Sequence, residues 1–366
     1  MLPLAGLTVV AIEQAVAAPF ASSRLADAGA RVIKIERPEG DFARGYDDVA
    51  AGQSSYFVWL NRGKESVTLD LGAPAGKAEL AQLLEDADVL IQNLKPGAMG
   101  RLGFDLTTLH QAQPKLISCS ISGYGETGPM ANRKAYDLLI QAETGLCSIT
   151  GGPSEPARVG ISVVDIATGA SAYAAVLEAL IRRSVTGQGA QISVSMFDVL
   201  ADWLTVPLLN HEGGQSPERV GLAHPSIAPY GVFQPKNGAP ILISVQSDRE
   251  WRQLCSQVVG DAAFADDPRF ATNLARVANR IETDDLVARA IAALDAEDAA
   301  EKLGNAGIAL ASVNNMADLS AHAHLRRITV QSPNGPVSFP APGVRFIGEE
   351  RSYGSVPALK PAKAET

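Results

Sequence analysis

The run LTVVAIEQAVAAPFASSRLADAGARVIKIE, Leu7–Glu36, decides the fold. LTVVAI (Leu7–Ile12) reads as a short apolar strand, a helix-like run follows over Ala18–Ala28, and RVIKIE (Arg31–Glu36) reads as a second strand. The same alternation continues outward. SVTLDL (Ser66–Leu71) precedes a helix across Ala75–Asp86, and VLIQN (Val89–Asn93) and LISCSIS (Leu116–Ser122) are further strands with a short helical segment between them. Strands separated by helical segments imply β-α-β units, and hence a parallel sheet with right-handed crossovers.

Beyond this region a long Ala-rich helix begins near Asp165. QISVSM (Gln191–Met196) is another strand, leading into a helix towards Asn210. HEGGQSPERVGLA (His211–Ala223) has the Gly, Ser and Pro content of a linker. After it the elements are smaller: strands at Tyr230–Gln234 and Ile241–Val245, then amphipathic helices around Asp248–Val259, Thr283–Leu294 and Glu297–Asn305. From Gln331 the chain is rich in Pro and Gly, as a surface-wrapping tail would be. The expected organisation is a large domain over 1–210, a linker over 211–224, a small α/β domain over 225–325 and a return segment over 326–366.

At 366 residues two domains are the natural expectation. The net charge of −9 argues against nucleic acid as a partner, because phosphate backbones need a basic surface. The apolar runs are broken by charge, so no membrane span is expected. Cys119, Cys147 and Cys255 are scattered without C-x-x-C spacing, and His322 and His324 lie two apart, so no metal site is expected. The cysteine usage fits a reducing, cytoplasmic setting.

Asp165 stands where apolar residues give way to small ones at the start of the long helix. A carboxylate there is either an N-terminal cap or a catalytic group held still by backbone. Gly123, Gly125 and Gly128 match G-x-G-x-x-G, but Pro129 follows at once and no helix begins there to receive a pyrophosphate; a tight loop beside a ligand suits them better. Tyr136 and Asp137 read as a packed ring and a turn residue. Arg37, Lys95, Arg101 and Lys134 fall in loops, where ligands bind in an open parallel sheet.

Taken in order, the blocks LAGLTVVAIEQAVAAPF, RVIKIERPEGD, YFVWLNRGKESVTLDL, VLIQNLKPGAMGRLGF, ISGYGETGP, AYDLLIQAETG, ISVVDIATG, GQGAQISVSMFD and HPSIAPYGVF resemble the family III CoA transferases. The resemblance implies a Rossmann-like large domain and a smaller α/β domain, with two chains interlocked as a homodimer. It places Asp165 on the transferases' nucleophilic aspartate. It implies that Ala15, Val16, Arg37, Leu69, Asn93, Leu94, Arg101, Lys134, Tyr136 and Met196 line the CoA site, with Arg37, Arg101 and Lys134 facing phosphates. CoA and acyl-CoA are then substrates, and no tightly bound cofactor is expected.

Arg44, Arg62, His224, Ser226 and Tyr230 are candidates to hold a second carboxylate, as a small dicarboxylic substrate would need; the alternative for them is turn and packing work. The racemase branch of the family has a histidine where Tyr136 stands here. A phenol with a pKa near ~10 is a poor proton carrier at pH 7, which favours transferase over racemase chemistry. A racemase, or a CoA-binding protein without activity, is the alternative reading. A free Asp titrates near ~3.9, so an ionised Asp165 is expected at neutral pH. The end SVPALKPAKAET (Ser355–Thr366) differs from the family's usual final helix and gives the expectation of an atypical, shortened terminus.

Overall fold

A computed structural model describes residues 1–360; the last six residues of the expected return segment lie outside the described residues. The chain forms two compact units. The first takes Met1–Leu146, Val159–Val206 and the chain from Arg326 onward; the second takes Cys147–Arg158 and Pro207–Leu325.

The first unit is built on a six-stranded, wholly parallel sheet. Its strands are β1 (Thr8–Ile12), β2 (Arg31–Glu36), β3 (Lys64–Thr68), β4 (Val89–Gln92), β5 (Ile117–Ser122) and β6 (Ala190–Ser195). The spatial order is β3-β2-β1-β4-β5-β6, so the winding reverses between β1 and β4. In register, Val10 pairs with Ile33 on one side and Leu90 on the other.

Both faces of the sheet are covered, which is why its strands are apolar at consecutive positions. Val9, Ala11, Val32, Val89, Ile91, Ile117 and Cys119 point to one core, which also takes Ala18, Ala21 and Leu25 of helix Ala17–Asp27 and Ala172, Val176 and Ala179 of helix Val163–Thr186. Val10, Ile12, Ile33, Ile35 and Leu90 point to the other, against Leu80 and Leu84 of helix Pro74–Glu85. The helix Val163–Thr186 is long and apolar enough to cross a membrane by length and composition alone, a test that the core helix of a folded domain also passes. Here its buried residues pack on the sheet.

The tail is more regular than its Pro and Gly content suggests. β10 (Arg327–Ser332) and β11 (Gly335–Pro340) form an antiparallel hairpin across Pro333 and Asn334. Proline's fixed φ suits the second position of such a turn. Val330 packs with Phe57, Val58 and Val356, and the chain then runs past β3, where Gly63 N–H donates to the Ser355 carbonyl at 2.8 Å.

The second unit holds an antiparallel sheet, β7 (Tyr230–Phe233), β8 (Ile241–Ser244) and β9 (Ala309–Ser312), around a core containing Trp251, Val287 and Leu303. The buried Arg276 guanidinium donates to the Ala228 and Phe270 carbonyls at 2.7 and 2.9 Å and to Asp248 at 2.9 Å. The stretch 211–224 lies within this second unit. Arg219 donates to the carbonyls of Ser148, Gly152 and Pro153 at 3.0–3.2 Å, which ties Cys147–Arg158 into this unit.

Candidate active site

Asp165 is the third residue of helix Val163–Thr186, and its side chain does not cap that helix. The cap comes from another helix. Asp137, the first residue of helix Asp137–Glu143, accepts the Val164 N–H at 2.8 Å and the Asp165 N–H at 3.1 Å on its Oδ1. Free N–H groups at a helix start need such an acceptor. Asp137 Oδ2 takes the Gln141 amide at 2.6 Å, and Gln141 Oε1 accepts the Val159 N–H at 2.9 Å. One helix thus fixes the start of the next, and the Asp165 carboxylate is left for other work.

Its electrostatics are unusual for an aspartate. Burial pushes its pKa up from 3.8 to about 7, and the Asp137 carboxylate adds to the rise. The expectation of full ionisation at neutral pH is therefore corrected: Asp165 holds its proton to a much higher pH than a free aspartate. Burial disfavours the charged form, and the charge acting on it is of the same sign.

Tyr46 interacts with it electrostatically, and two other tyrosines lie close to Tyr46. The Tyr46 hydroxyl is pushed up to about 12, first by burial and then by Asp41, Asp165, Tyr136 and Tyr56. Tyr46 and Tyr56 meet edge to face at 5.6 Å, and Tyr56 Oη lies 3.3 Å from Ser162 Oγ, at the residue before the helix. Tyr136 is 62% exposed. These phenols are donors held near a carboxylate, able to hydrogen-bond to oxygens that gain charge there.

Most of the remaining candidates stand at strand ends. Ala15 and Val16 follow β1, Arg37 follows β2, Leu69 follows β3, Asn93 and Leu94 follow β4, and Met196 follows β6. Since the sheet is parallel, all of these lie along its carboxyl edge, where open α/β sheets bind ligands. The Asn93 amide clamps the Gln14 backbone with bonds of 2.9 and 3.0 Å, joining the β1 and β4 loops at the switch in winding. Leu69, Val16 and Met196 are buried, whereas Arg37, Arg101 and Lys134 are exposed cations. The glycine loop after β5 leads into no helix before Asp137; Gly123 lies flat against Ala135, where a Cβ would stand 2.1 Å from the Ala135 Cβ.

Two substrate candidates are committed elsewhere. Arg62 is 1% exposed, donates to Asp27 and to the Trp59 carbonyl, and is flanked by the rings of Phe339 and Tyr353. Buried in this way, it belongs to the fold and not to a substrate. Arg44 donates to both oxygens of Glu36 at 2.7–2.8 Å and lies over the Phe57 ring. In the second unit His224 stacks on Tyr230 at 5.3 Å, and its Nδ1 accepts the Ser226 N–H at 3.1 Å. These three meet one another; none belongs to the unit that carries Asp165.

Asp137, Tyr46 and Tyr56 carry weight that sequence patterns did not give them. Asp137 opens a helix and has Gln141 four residues on, a pairing legible in the sequence. Tyr46 and Tyr56 come to Asp165 across more than a hundred residues of chain, and no local signal marks them.

A sequence model of CoA-transferase family III matches residues 4–359. The chain is 35% identical over 357 residues to a succinate–glutarate CoA-transferase of Agrobacterium fabrum, covering 94% of this chain and 88% of that protein. It is 38% identical over 353 residues to an acetyl-CoA:oxalate CoA-transferase of Acetobacter aceti, covering 94% and 90%. Among solved structures it is similar to a CaiB/BaiF family protein from Brucella suis, with a TM-score of 0.81, 35% identity and coverage of 97% and 95%.

Proposed function

The chain belongs to family III of the CoA-transferases, and from that premise we propose that it moves CoA from an acyl-CoA thioester to a short dicarboxylic acid, with Asp165 as covalent nucleophile. The observation that carries the reading is the division of labour between two aspartates. Asp137 caps the helix, so the Asp165 carboxylate is spared.

The chemistry follows from position. The Asp165 carboxylate attacks the thioester carbonyl, the C–S bond breaks, and an aspartyl–acyl anhydride and CoA thiolate form. The thiolate attacks the aspartyl carbonyl, releasing the donor acid and leaving a thioester on Asp165. An acceptor carboxylate attacks that thioester, forming a second anhydride and freeing the thiolate. Attack of the thiolate on the acceptor's carbonyl releases the new acyl-CoA and restores the aspartate. A raised pKa serves this sequence, because a more basic carboxylate is the better nucleophile once ionised. Each addition puts charge on an oxygen, and the hydroxyls of Tyr46 and Tyr136 are suited to receive it.

Ala15, Val16, Leu69, Asn93, Leu94, Tyr136 and Met196 are assigned to the CoA chain and Arg37 and Lys134 to its phosphates, on the strength of their placement along the carboxyl edge or in the loop after β5. Arg101, expected in a loop, lies in the helix Ala98–Leu102 after β4 and donates to the Pro96 carbonyl at 3.3 Å; it is assigned to a phosphate on the resemblance alone. A dicarboxylic substrate is supported by the relatives, named for succinate, glutarate and oxalate. The active form is a homodimer, supported by the exposed apolar residues Ile181, Val185, Trp203 and Val206.

A mass-spectrometric transfer screen tests the reading. The protein is mixed with pooled acyl-CoA donors and free mono- and dicarboxylic acids, beside an Asp165→Ala control. A new dicarboxylyl-CoA made by the parent alone supports it. Solvent deuterium entering the α-carbon of a 2-methylacyl-CoA, with no acyl exchange, would replace it with racemisation.

A further inference from the structure

Past the carboxyl end of β1 the chain turns through Glu13–Val16, and Ala15 sits there with φ at 64°. Residues with a side chain seldom take that left-handed backbone, so something must hold it. Asp41 does so directly. Its Oδ1 accepts the Ala15 N–H at 3.1 Å and the Ala43 N–H at 2.9 Å. Its Oδ2 takes Lys34 Nζ at 2.8 Å. The same Nζ donates to the Glu13 carbonyl at 3.3 Å. One ammonium therefore grips the turn on both sides of Gln14: at the Glu13 carbonyl, and through Asp41 at the Ala15 N–H.

The side chains of Lys34, Asp41, Glu13 and Lys64 are fully buried. Glu13 accepts from Lys64 and Ser22, each at 2.6 Å, and Asp41's own N–H is taken by Glu36 at 2.9 Å. Buried ion pairs contribute little net stability, because desolvation offsets their attraction. What such a cluster supplies is direction. Each carboxylate oxygen of Asp41 and Glu13 has a donor, which fixes the geometry of the turn.

That turn packs on the site. Ala15 and Val16 share an apolar cluster with Tyr56 and with Ile166, the residue after Asp165. We propose that Lys34 and Asp41 are positioning residues that lock the Gln14–Val16 turn in its left-handed form and so set the wall beside Asp165 on which the acyl-CoA is seated. The proposal rests on the reading of Asp165 as the reacting carboxylate.

Four variants test it: Asp41→Ala, Asp41→Asn, Ala15→Gly, and Asp41→Ala combined with Ala15→Gly. Asparagine keeps an acceptor at Oδ1, and glycine takes a positive φ without steric cost. A wall displaced by about an ångström costs on the order of 100-fold in rate. Asp41→Ala is expected to lose that much in kcat, Asp41→Asn an intermediate amount, because it keeps the acceptor for the Ala15 N–H and loses the one for Lys34, and the double variant to recover about 10-fold over Asp41→Ala. Hydrogen exchange over Gln14–Val16 is expected to speed up by about 10-fold or more in Asp41→Ala, with β5 unchanged.

Unchanged exchange at that turn would overturn the proposal. So would a loss of kcat that tracks melting temperature and is not relieved by Ala15→Gly. If the parent protein transfers no CoA, the reading of Asp165 falls, and exchange alone then upholds or overturns the lock.

Discussion

Asp165 titrates near neutrality because its burial is not compensated: the charge that acts on it, Asp137, is negative. Three outcomes follow at this scale. Asp165→Ala is expected to lower transfer by at least ~1,000-fold while CoA binding persists, read by turnover and by calorimetric titration with CoA. Asp137→Asn keeps the cap acceptor and removes the charge. It is expected to move the acidic limb of kcat/KM below pH 7, though not to 3.8, because burial is the larger cause. Asp165→Asn should stabilise the fold at alkaline pH. The folded pKa lies above the unfolded one, so the native state binds the proton more tightly, and stability falls as pH rises from about 4 through about 7. The variant escapes that loss. Denaturant melts should show it more stable by on the order of 3 kcal/mol at pH 8 and nearly level with the parent at pH 4.

Among elements, the contact that places Asp165 is the crossing of helices Ala17–Asp27 and Val163–Thr186. Gly169, one turn beyond Asp165, lets them touch: a Cβ there would stand 2.6 Å from the Ala17 carbonyl oxygen and 2.9 Å from the Phe20 Cβ. Gly169→Ala is expected to cost about 1–3 kcal/mol in chemical denaturation and to lower transfer, since the helix start must shift. Arg62 gives the opposite contrast. It pairs with Asp27 at the end of the first of these helices, where Arg24 is a second partner, so Arg62→Ala should cost about 1–3 kcal/mol through lost charge-assisted hydrogen bonds, with KM for the acceptor acid little changed in the folded fraction.

For the whole molecule, apolar side chains left on the surface of the long helix and beyond it, Ile181, Val185, Trp203 and Val206 among them, call for a partner surface. Light scattering is expected to give twice the 38.3 kDa mass of one chain. If the two chains are threaded through one another, dilution to nanomolar concentration will not separate them, because separation requires unfolding. A monomer at micromolar concentration would remove the homodimer.

The parallel sheet was legible because its cause is local. A strand buried on both faces is apolar at consecutive positions, and the helix between two parallel strands shows its own period, so Leu7–Glu36 carries the βαβ unit in thirty residues. The place of Asp165 at a helix start was legible for the same reason. The tail hairpin was not, because Pro336 and Pro340 mask a strand that packs through residues far away, such as Phe57 and Val58. Nor could the local pattern at Asp165 show which residue caps its helix, or foresee its pKa. The cap follows from Asp137 reaching across from another helix, and the raised pKa from partial burial and that second carboxylate. Hydrogen-bond partners and dielectric surroundings are properties of the packed chain, and a residue's neighbours in sequence do not contain them.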